Sequence, residues 1–456
     1  MQASIEQELP VQQPPAHHFP SIAAPDGWDL PLKLGILTGL CALIFVSVHA
    51  RAFQPLVSVA DAHGIHADFF RPSILWFTMG SLLLLFRTLL WFTYKPHPSA
   101  RHENAPRITV VIPAYNEGPM VAKSIDSVVA AHYPPDRLQI IVVDDGSKDD
   151  TWEHIQTAVA RHPGRVHPIR LERNSGKRMA LAAGFRIATG EVFVTIDSDS
   201  VVSPNALLAL AGPFASPRIG VVAGKVLVYN RAAGIIPRML HVRFTLAFDF
   251  LRAYQSTFGT VYCSPGALSA YRASAVLAVL DRWVNQRFLG SQATIGEDRA
   301  LTNDVMRQGF DSIYQRDAMV LTVVPTSYRQ LCRMFLRWNR SYIREEARLA
   351  LVLPHRPLVA RLIACCDSLI TNLRFPILFI TLLLMGAETL YYPLMFPRVL
   401  IAIAAISLLY SLYYLRSERS LNFVYGIVFE YFSFFFMFWI FPWALLTVRA
   451  KGWLTR

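Results

Sequence analysis

Charge is scarce in this chain. Asp, Glu, Lys and Arg make up only 17% of its 456 residues, while 53% are hydrophobic. An ordinary soluble domain carries nearer ~25% charged residues, so a purely soluble protein is excluded. Cysteine is sparse as well. The five cysteines (Cys41, Cys263, Cys332, Cys365 and Cys366) are odd in number and no pair has metal-ligand spacing. That argues against a disulfide framework and against a zinc site. Three of them lie in apolar stretches and read as small buried hydrophobes. The first thirty residues lack the early apolar core of a secretory signal. They are polar and Pro-rich, and residues 1–30 read as a disordered cytosolic tail. No nucleic-acid reading motif accompanies the net charge of +12. The basic residues are better assigned to the flanks of membrane helices, to anionic lipid and to phosphate-bearing substrates, with no nucleic-acid or protein partner.

What is present is apolar sequence gathered at the two ends. Leu34–Ala50 carries no charge, and Ile74–Tyr94 carries one, Arg87. A membrane span needs about 20 apolar residues, and both stretches read as transmembrane helices over residues 31–99. Three more apolar stretches follow the middle region, near Leu362–Leu390, Val399–Leu415 and Phe423–Val448. Asp367, Arg374 and Glu430 lie inside them, where charges face protein or a wet cavity; a structural ion pair and a polymer channel are the two readings.

Residues 100–327 read as a cytosolic α/β domain. Arg107–Ile112, Leu138–Val143 and Val192–Ile196 have the continuous apolar run of buried parallel strands. Ser124–Ala131, Thr151–Ala160 and Lys177–Ala188 read as helices between them, giving the rhythm of a doubly wound sheet. Ligands of such sheets bind beyond the carboxyl ends of the strands. Polar residues collect there: Pro113-Ala114-Tyr115-Asn116-Glu117, Asp144-Asp145-Gly146-Ser147 and Asp197-Ser198-Asp199. A diphosphate is poorly held beside carboxylates unless a cation intervenes. Asp197 and Asp199, one residue apart, suit an oxygen-loving cation, Mg2+ or Mn2+, beneath a nucleotide sugar. In that site Tyr115, two residues before Glu117, stacks on the base, Asp145 accepts from uracil or ribose, and Lys177 at a helix start faces a phosphate.

Gly296-Glu297-Asp298-Arg299 opens another helical pattern. A sugar hydroxyl needs a carboxylate to take its proton as it attacks, and Asp298 is the candidate base. The competing reading is a helix cap. Further on, Arg329, Arg333, Arg337, Arg340, Arg344 and Arg348 fall on one side of a helix over residues 328–355, with Trp338 among the apolar residues opposite. Such an amphipathic basic helix suits the membrane interface.

These motifs resemble the inverting family-2 glycosyltransferases, which include cellulose, chitin and hyaluronan synthases, and among them hyaluronan synthases most. The likeness runs over roughly residues 105–456. It is densest from Arg243-Phe244 through Ala253-Tyr254-Gln255-Ser256-Thr257-Phe258-Gly259, Phe288-Leu289-Gly290-Ser291 and Gly296–Asn303 to Arg337-Trp338 and Arg344-Glu345. It implies a GT-A-type nucleotide-sugar glycosyltransferase domain inserted between transmembrane helices (residues 31–99 and 356–448) at the plasma membrane. It implies that Asp145 contacts the nucleotide, that Asp197 and Asp199 hold diphosphate and metal, and that Asp298 is the base. Cys263, Gly266, Tyr271, Arg272, Glu297, Arg337 and Trp338 are implied on the acceptor side. Trp453, Thr455 and Arg456, in a C-terminal loop of residues 449–456, are implied to close over the nucleotide. Two departures touch the acceptor region: Met334 stands where the family has the Gln of Gln-x-x-Arg-Trp, and Pro265-Gly266-Ala267 where it has Ser-Gly-Pro.

The leading expectation is an enzyme building a hyaluronan-type polymer from UDP-N-acetylglucosamine and UDP-glucuronate and extruding it across the membrane. The nearest rival is a chitin or chitooligosaccharide synthase using only UDP-N-acetylglucosamine. A polyprenyl-phosphate sugar transferase and an inactive membrane scaffold rank lower. Because the final loop must reach the cytosolic site, Phe423–Val448 is expected to break near Pro442 and turn back.

Overall fold

The computed structural model describes residues 27–49, 71–391 and 395–450, with a few isolated positions elsewhere. Most of the expected tail, and the expected nucleotide contacts Trp453, Thr455 and Arg456, lie outside the described residues.

An eight-stranded mixed sheet forms the centre of residues 100–327, in the order β3-β2-β1-β4-β7-β6-β10-β5. β1 (Ile108–Ala114), β2 (Leu138–Asp144), β3 (Val166–Arg170) and β4 (Val192–Thr195) run parallel. All seven residues of β1 are buried, as expected of a β-branched strand covered on both faces. The helices Met120–Val129, Thr151–Arg161 and Lys177–Ile187 fill the connections, close to the expected ranges. The second half departs from a doubly wound sheet. β7 (Ser269–Arg272) pairs antiparallel with both β4 and β6 (Ile219–Val228). β10 (Asp311–Thr322) pairs parallel with β6 and antiparallel with the short β5 (Ser200–Val202). The expected parallel rhythm therefore holds only through β4.

Two further helices shape the site. Glu297–Met306 follows Gly296, whose φ of 72° is the left-handed conformation natural to glycine. Tyr328–Val352 begins at Ser327, whose hydroxyl accepts the Gln330 N–H. Gly296 lies so close to the second helix that a Cβ there would stand 1.8 Å from Ser341 Oγ.

The apolar ends are helical: Asp29–His49, Arg71–Thr93, Leu358–Tyr391, Met395–Ser417, Phe423–Phe432 and Ile440–Leu446. Among the described residues, the first and fourth contain windows long and apolar enough to cross a membrane, and the last pair adds a third if taken as one bent span. That pair bends by 48° at its break, ahead of Pro442. The final helix then lies along Tyr328–Val352, where Arg340 donates to Thr447 Oγ1 at 2.9 Å and 3.1 Å.

The charges within the apolar stretches resolve in part as an ion pair. Arg87 Nε donates to Asp367 Oδ1 at 2.7 Å, and Tyr254 and Tyr262 donate to the same carboxylate at 3.1 Å and 3.0 Å. The arginine stripe needs correcting. Arg340 and Arg344 are buried, and Arg348 bonds Glu345 and Asp304 at 2.8 Å and 3.0 Å. These three arginines face protein: Arg344 and Arg348 supply the counter-ions that the buried Glu345 and Asp304 need, and Arg340 is taken by Thr447.

Candidate active site

The carboxyl ends of β1, β2 and β4 bring Tyr115, Asp145 and Asp197 to one edge of the sheet. The Asp145 N–H donates to the Ala114 carbonyl at 2.8 Å, and the Ile196 N–H to Val111 at 3.2 Å. Tyr115 is half-buried directly after β1. Glu117 follows it, and its N–H donates to Thr151 Oγ1 at 2.7 Å. The buried Asp145 carboxylate accepts the N–H groups of Ser175 and Gly176, each at 2.8 Å. Burial raises its pKa and those two donors oppose the rise. Asp145 thus pins the loop that delivers Lys177, in addition to any nucleotide contact.

The Lys177 ammonium bonds the Asp197 carboxylate and stands 3.2 Å from Glu297 Oε1. Burial works to lower the lysine pKa, but Asp197 and Glu297 more than reverse this and hold it charged. Asp199 Oδ1 accepts from Thr322 Oγ1 at 3.1 Å. Among the described residues no group of three or more His, Cys, Asp or Glu side chains surrounds a metal position. As oxygen donors, the Asp197 and Asp199 carboxylates are of the ligand type that Mg2+ and Mn2+ prefer.

Asp298 lies in the first turn of its helix, beside this cluster. Its Oδ2 accepts the Gly266 N–H at 3.2 Å, and its Oδ1 accepts the Arg299 N–H at 2.7 Å. Burial, then the adjacent Glu297 charge, pushes its pKa up to about 6, with Lys177 opposing. Burial works to raise Glu297 too, but Lys177 and Arg337 pull it below the usual carboxylate range. Two neighbouring carboxyls are thereby driven apart, Glu297 towards the ionised form and Asp298 towards the protonated one. Gly266 roofs the cluster: a Cβ there would meet Lys177 Nζ at 2.6 Å and the Asp197 oxygens at 3.4 Å and 3.5 Å.

Some expected acceptor residues stand elsewhere. Arg272 donates to the carbonyls of Ile219, Phe214 and Ser216 and covers the Phe214 ring, so it fastens the sheet. Tyr271 is buried in β7, beneath the site. Glu297 faces the donor-side lysine. Cys263 is half-buried; burial and the Asp298 charge push its thiol up to about 12, so it is no nucleophile. Met334 sits in the main hydrophobic cluster. Trp338 is 39% exposed and packs against Phe244 and Phe335, leaving part of its indole open.

Sequence reasoning missed the contacts that hold the base in place. Arg299 bonds Glu346 at 3.0 Å and lies over the Tyr342 ring, and Arg344 donates to the Ile295 carbonyl. Their only signal was two glutamates, Glu345 and Glu346, interrupting an arginine-rich helix. Val448, Arg449 and Ala450 line a shallow pocket with Phe288, Thr294 and Arg344, two residues short of Gly296. The described C-terminal residues thus pack beside the loop that precedes Gly296.

Residues 109–280 match the family model for Glycosyl transferase family 2. The chain is 34% identical over 241 residues to an N-acetylglucosaminyltransferase of Mesorhizobium japonicum, covering 53% of this chain and 57% of that protein. A second N-acetylglucosaminyltransferase, of Azorhizobium caulinodans, is 29% identical over 354 residues, 77% of this chain and 87% of that one. A hyaluronan synthase of Streptococcus pyogenes is 34% identical over 268 residues, 58% of this chain and 63% of that one. The chain spans little more than half the length of the first of these relatives. Among solved structures, the mannosyltransferase PcManGT of Pyrobaculum calidifontis, in complex with GDP-Man and Mn2+, shares the fold. Its TM-score is 0.58 at 21% identity, covering 78% of this chain and 96% of that one.

Proposed function

The chain carries a family-2 glycosyltransferase domain, and from that premise we propose that it transfers N-acetylglucosamine from its UDP donor to a growing saccharide, with inversion. The convergence of Asp197, Lys177, Glu297 and Asp298 beneath Gly266 carries this reading. Attack by a sugar hydroxyl needs a base on one side of the anomeric carbon and stabilisation of a departing diphosphate on the other. Asp298, with its pKa raised to about 6, is largely ionised at neutral pH and basic enough to take the hydroxyl proton. Lys177 meets developing phosphate charge, and Asp197 and Asp199 would hold Mg2+ or Mn2+. That ion, when bound, neutralises the UDP leaving group. The Mn2+ in the mannosyltransferase of shared fold supports this assignment. Tyr115 and Asp145 lie where the base and ribose would enter, and the open part of the Trp338 indole offers a platform for an acceptor ring.

The N-acetylglucosaminyltransferase relatives favour a polymer of N-acetylglucosamine alone. The Streptococcus pyogenes hyaluronan synthase favours a second reading, in which UDP-glucuronate alternates with the first donor. In both, the catalytic domain faces the cytosol, where UDP-sugars are made, and the product leaves between the helices that follow residue 358.

Purified protein in lipid with Mn2+, given each UDP-sugar alone and both together, tests the proposal. Chitinase-sensitive product from UDP-N-acetylglucosamine alone supports the first reading. Hyaluronidase-sensitive product requiring both donors supports the second. No saccharide and no released UDP under any condition would overturn both.

A further inference from the structure

The helix Leu358–Tyr391 reaches the candidate site by two separate routes, both starting between residues 367 and 372. On one side, Asp367 accepts from Tyr254 and Tyr262 of the catalytic domain and from Arg87 of Arg71–Thr93. Tyr262 lies four residues before Gly266, whose N–H bonds Asp298. On the other side, Ser368 Oγ and Asn372 Nδ2 donate to Glu346 Oε1 at 2.5 Å and 3.0 Å. The opposite oxygen of Glu346 takes the Arg299 guanidinium at 3.0 Å. The ring closes through Tyr342, whose hydroxyl donates to Asn372 Oδ1 at 2.8 Å while its face lies 4.6 Å from the Arg299 guanidinium.

Arg299 is the residue after Asp298, so the ring grips the first turn of the base-bearing helix. The adjacent Glu345 does a different job. It is fully buried and takes Gln286, Arg344 and Arg348 inside the catalytic domain. Two consecutive glutamates thus divide the work, one closing the core of the domain and one tying it to the helix Leu358–Tyr391.

We infer that Glu346, with Arg299, Ser368 and Asn372, is a positioning unit that sets the reach of Asp298 according to the placement of the helix Leu358–Tyr391. This rests on the assignment of Asp298 as the base proposed above. The four act through the turn that holds Asp298. A carboxylate displaced by about 1 Å loses much of its advantage as a base, whereas donor binding at Asp197 and Lys177 does not depend on it. The unit should therefore govern turnover and leave donor affinity alone.

The test uses full-length protein in lipid, with kcat, donor KM and UDP affinity measured for Glu346→Gln, Asn372→Ala, Arg299→Lys and the Arg299→Lys/Asn372→Ala pair. The expected result for Glu346→Gln and Asn372→Ala is a fall in kcat of about tenfold with donor KM and UDP affinity within about twofold of the parent. Arg299→Lys and Asn372→Ala combine non-additively, because they break one network. Unchanged kcat in Asn372→Ala and Glu346→Gln, or strictly additive effects, would overturn the inference. A drop in thermal stability with kcat per folded molecule intact would also overturn it, reducing the ring to scaffolding. Asp298→Asn is assayed alongside: if it retains full turnover, the base assignment itself fails, a result distinguishable from failure of the ring.

Discussion

Lys177 Nζ stands 3.2 Å from Glu297 Oε1 while bonding the Asp197 carboxylate, so one ammonium joins the donor-side aspartate to the helix that carries Asp298. Lys177→Met removes the cation from three carboxylates at once. UDP affinity is expected to fall about tenfold or more, the size of a lost charge-assisted contact, as read by calorimetry or fluorescence. Binding unchanged from the parent would take Lys177 out of the donor site.

Asp298 should give turnover its acidic limb. A base works only when deprotonated, and burial and Glu297 lift this carboxyl to about 6. Turnover should rise through about pH 6 and level off above it. Asp298→Asn should lower turnover by about 100-fold or more while UDP still binds. In Lys177→Met the limb should move to higher pH, since a neighbouring cation that opposed the rise has gone. The stability linkage has the opposite sense. The folded form holds this proton more tightly than the unfolded chain, so the group's contribution declines as pH rises from 3.8 towards about 6.

Gly266→Ala tests the roof of the cluster. Its methyl would stand 2.6 Å from Lys177 Nζ, closer than real Cβ contacts allow. The lysine must yield, and with it the bond to Asp197. A folded protein with turnover reduced about tenfold or more is expected. Thermal unfolding measured in parallel separates this from general damage, and parental turnover would show the roof to be loose.

Arg87 and Asp367 predict a stability effect. The carboxylate is 4% exposed and also takes two tyrosine hydroxyls. Arg87→Met leaves a buried carboxylate without its cation and should cost about 3–5 kcal/mol, read as a lowered melting temperature in detergent. Arg87→Met combined with Asp367→Leu should recover a large part of that loss. Equal stability of parent and single variant would mean that the pair contributes little.

The donor half of the site was legible in the sequence for a physical reason. Parallel strands buried on both faces are unbroken apolar runs, so the first polar residues after them, Tyr115, Asp145 and Asp197, mark one edge of the sheet. Asp298 was legible because an acidic pair opening a helix stands out against its neighbours. The other half was not. β7, β6 and β10 pair across long stretches of chain, and nothing local announces that β7 reverses direction. Helical periodicity put Arg340, Arg344 and Arg348 on one face but did not say that Thr447 would take the first and that Glu345 and Asp304 would take the other two. Arg272 read as an acceptor ligand only by its place in a motif, while the carbonyls it serves lie more than fifty residues away in sequence.

The helix Leu358–Tyr391 has 34 residues, and at ~1.5 Å per residue it is about 51 Å long. If the helix crosses a hydrocarbon layer, which is only about 30 Å thick, a sizeable part of it stands clear. The polar grip at Asp367, Ser368 and Asn372 occupies the part nearer its start. On that reading, shorter or longer acyl chains would make this rod tilt or slide, and residues 368–372 link it through Glu346 to Arg299, the neighbour of Asp298. Catalytic rate would then vary with the thickness of the host bilayer, without any lipid entering the pocket.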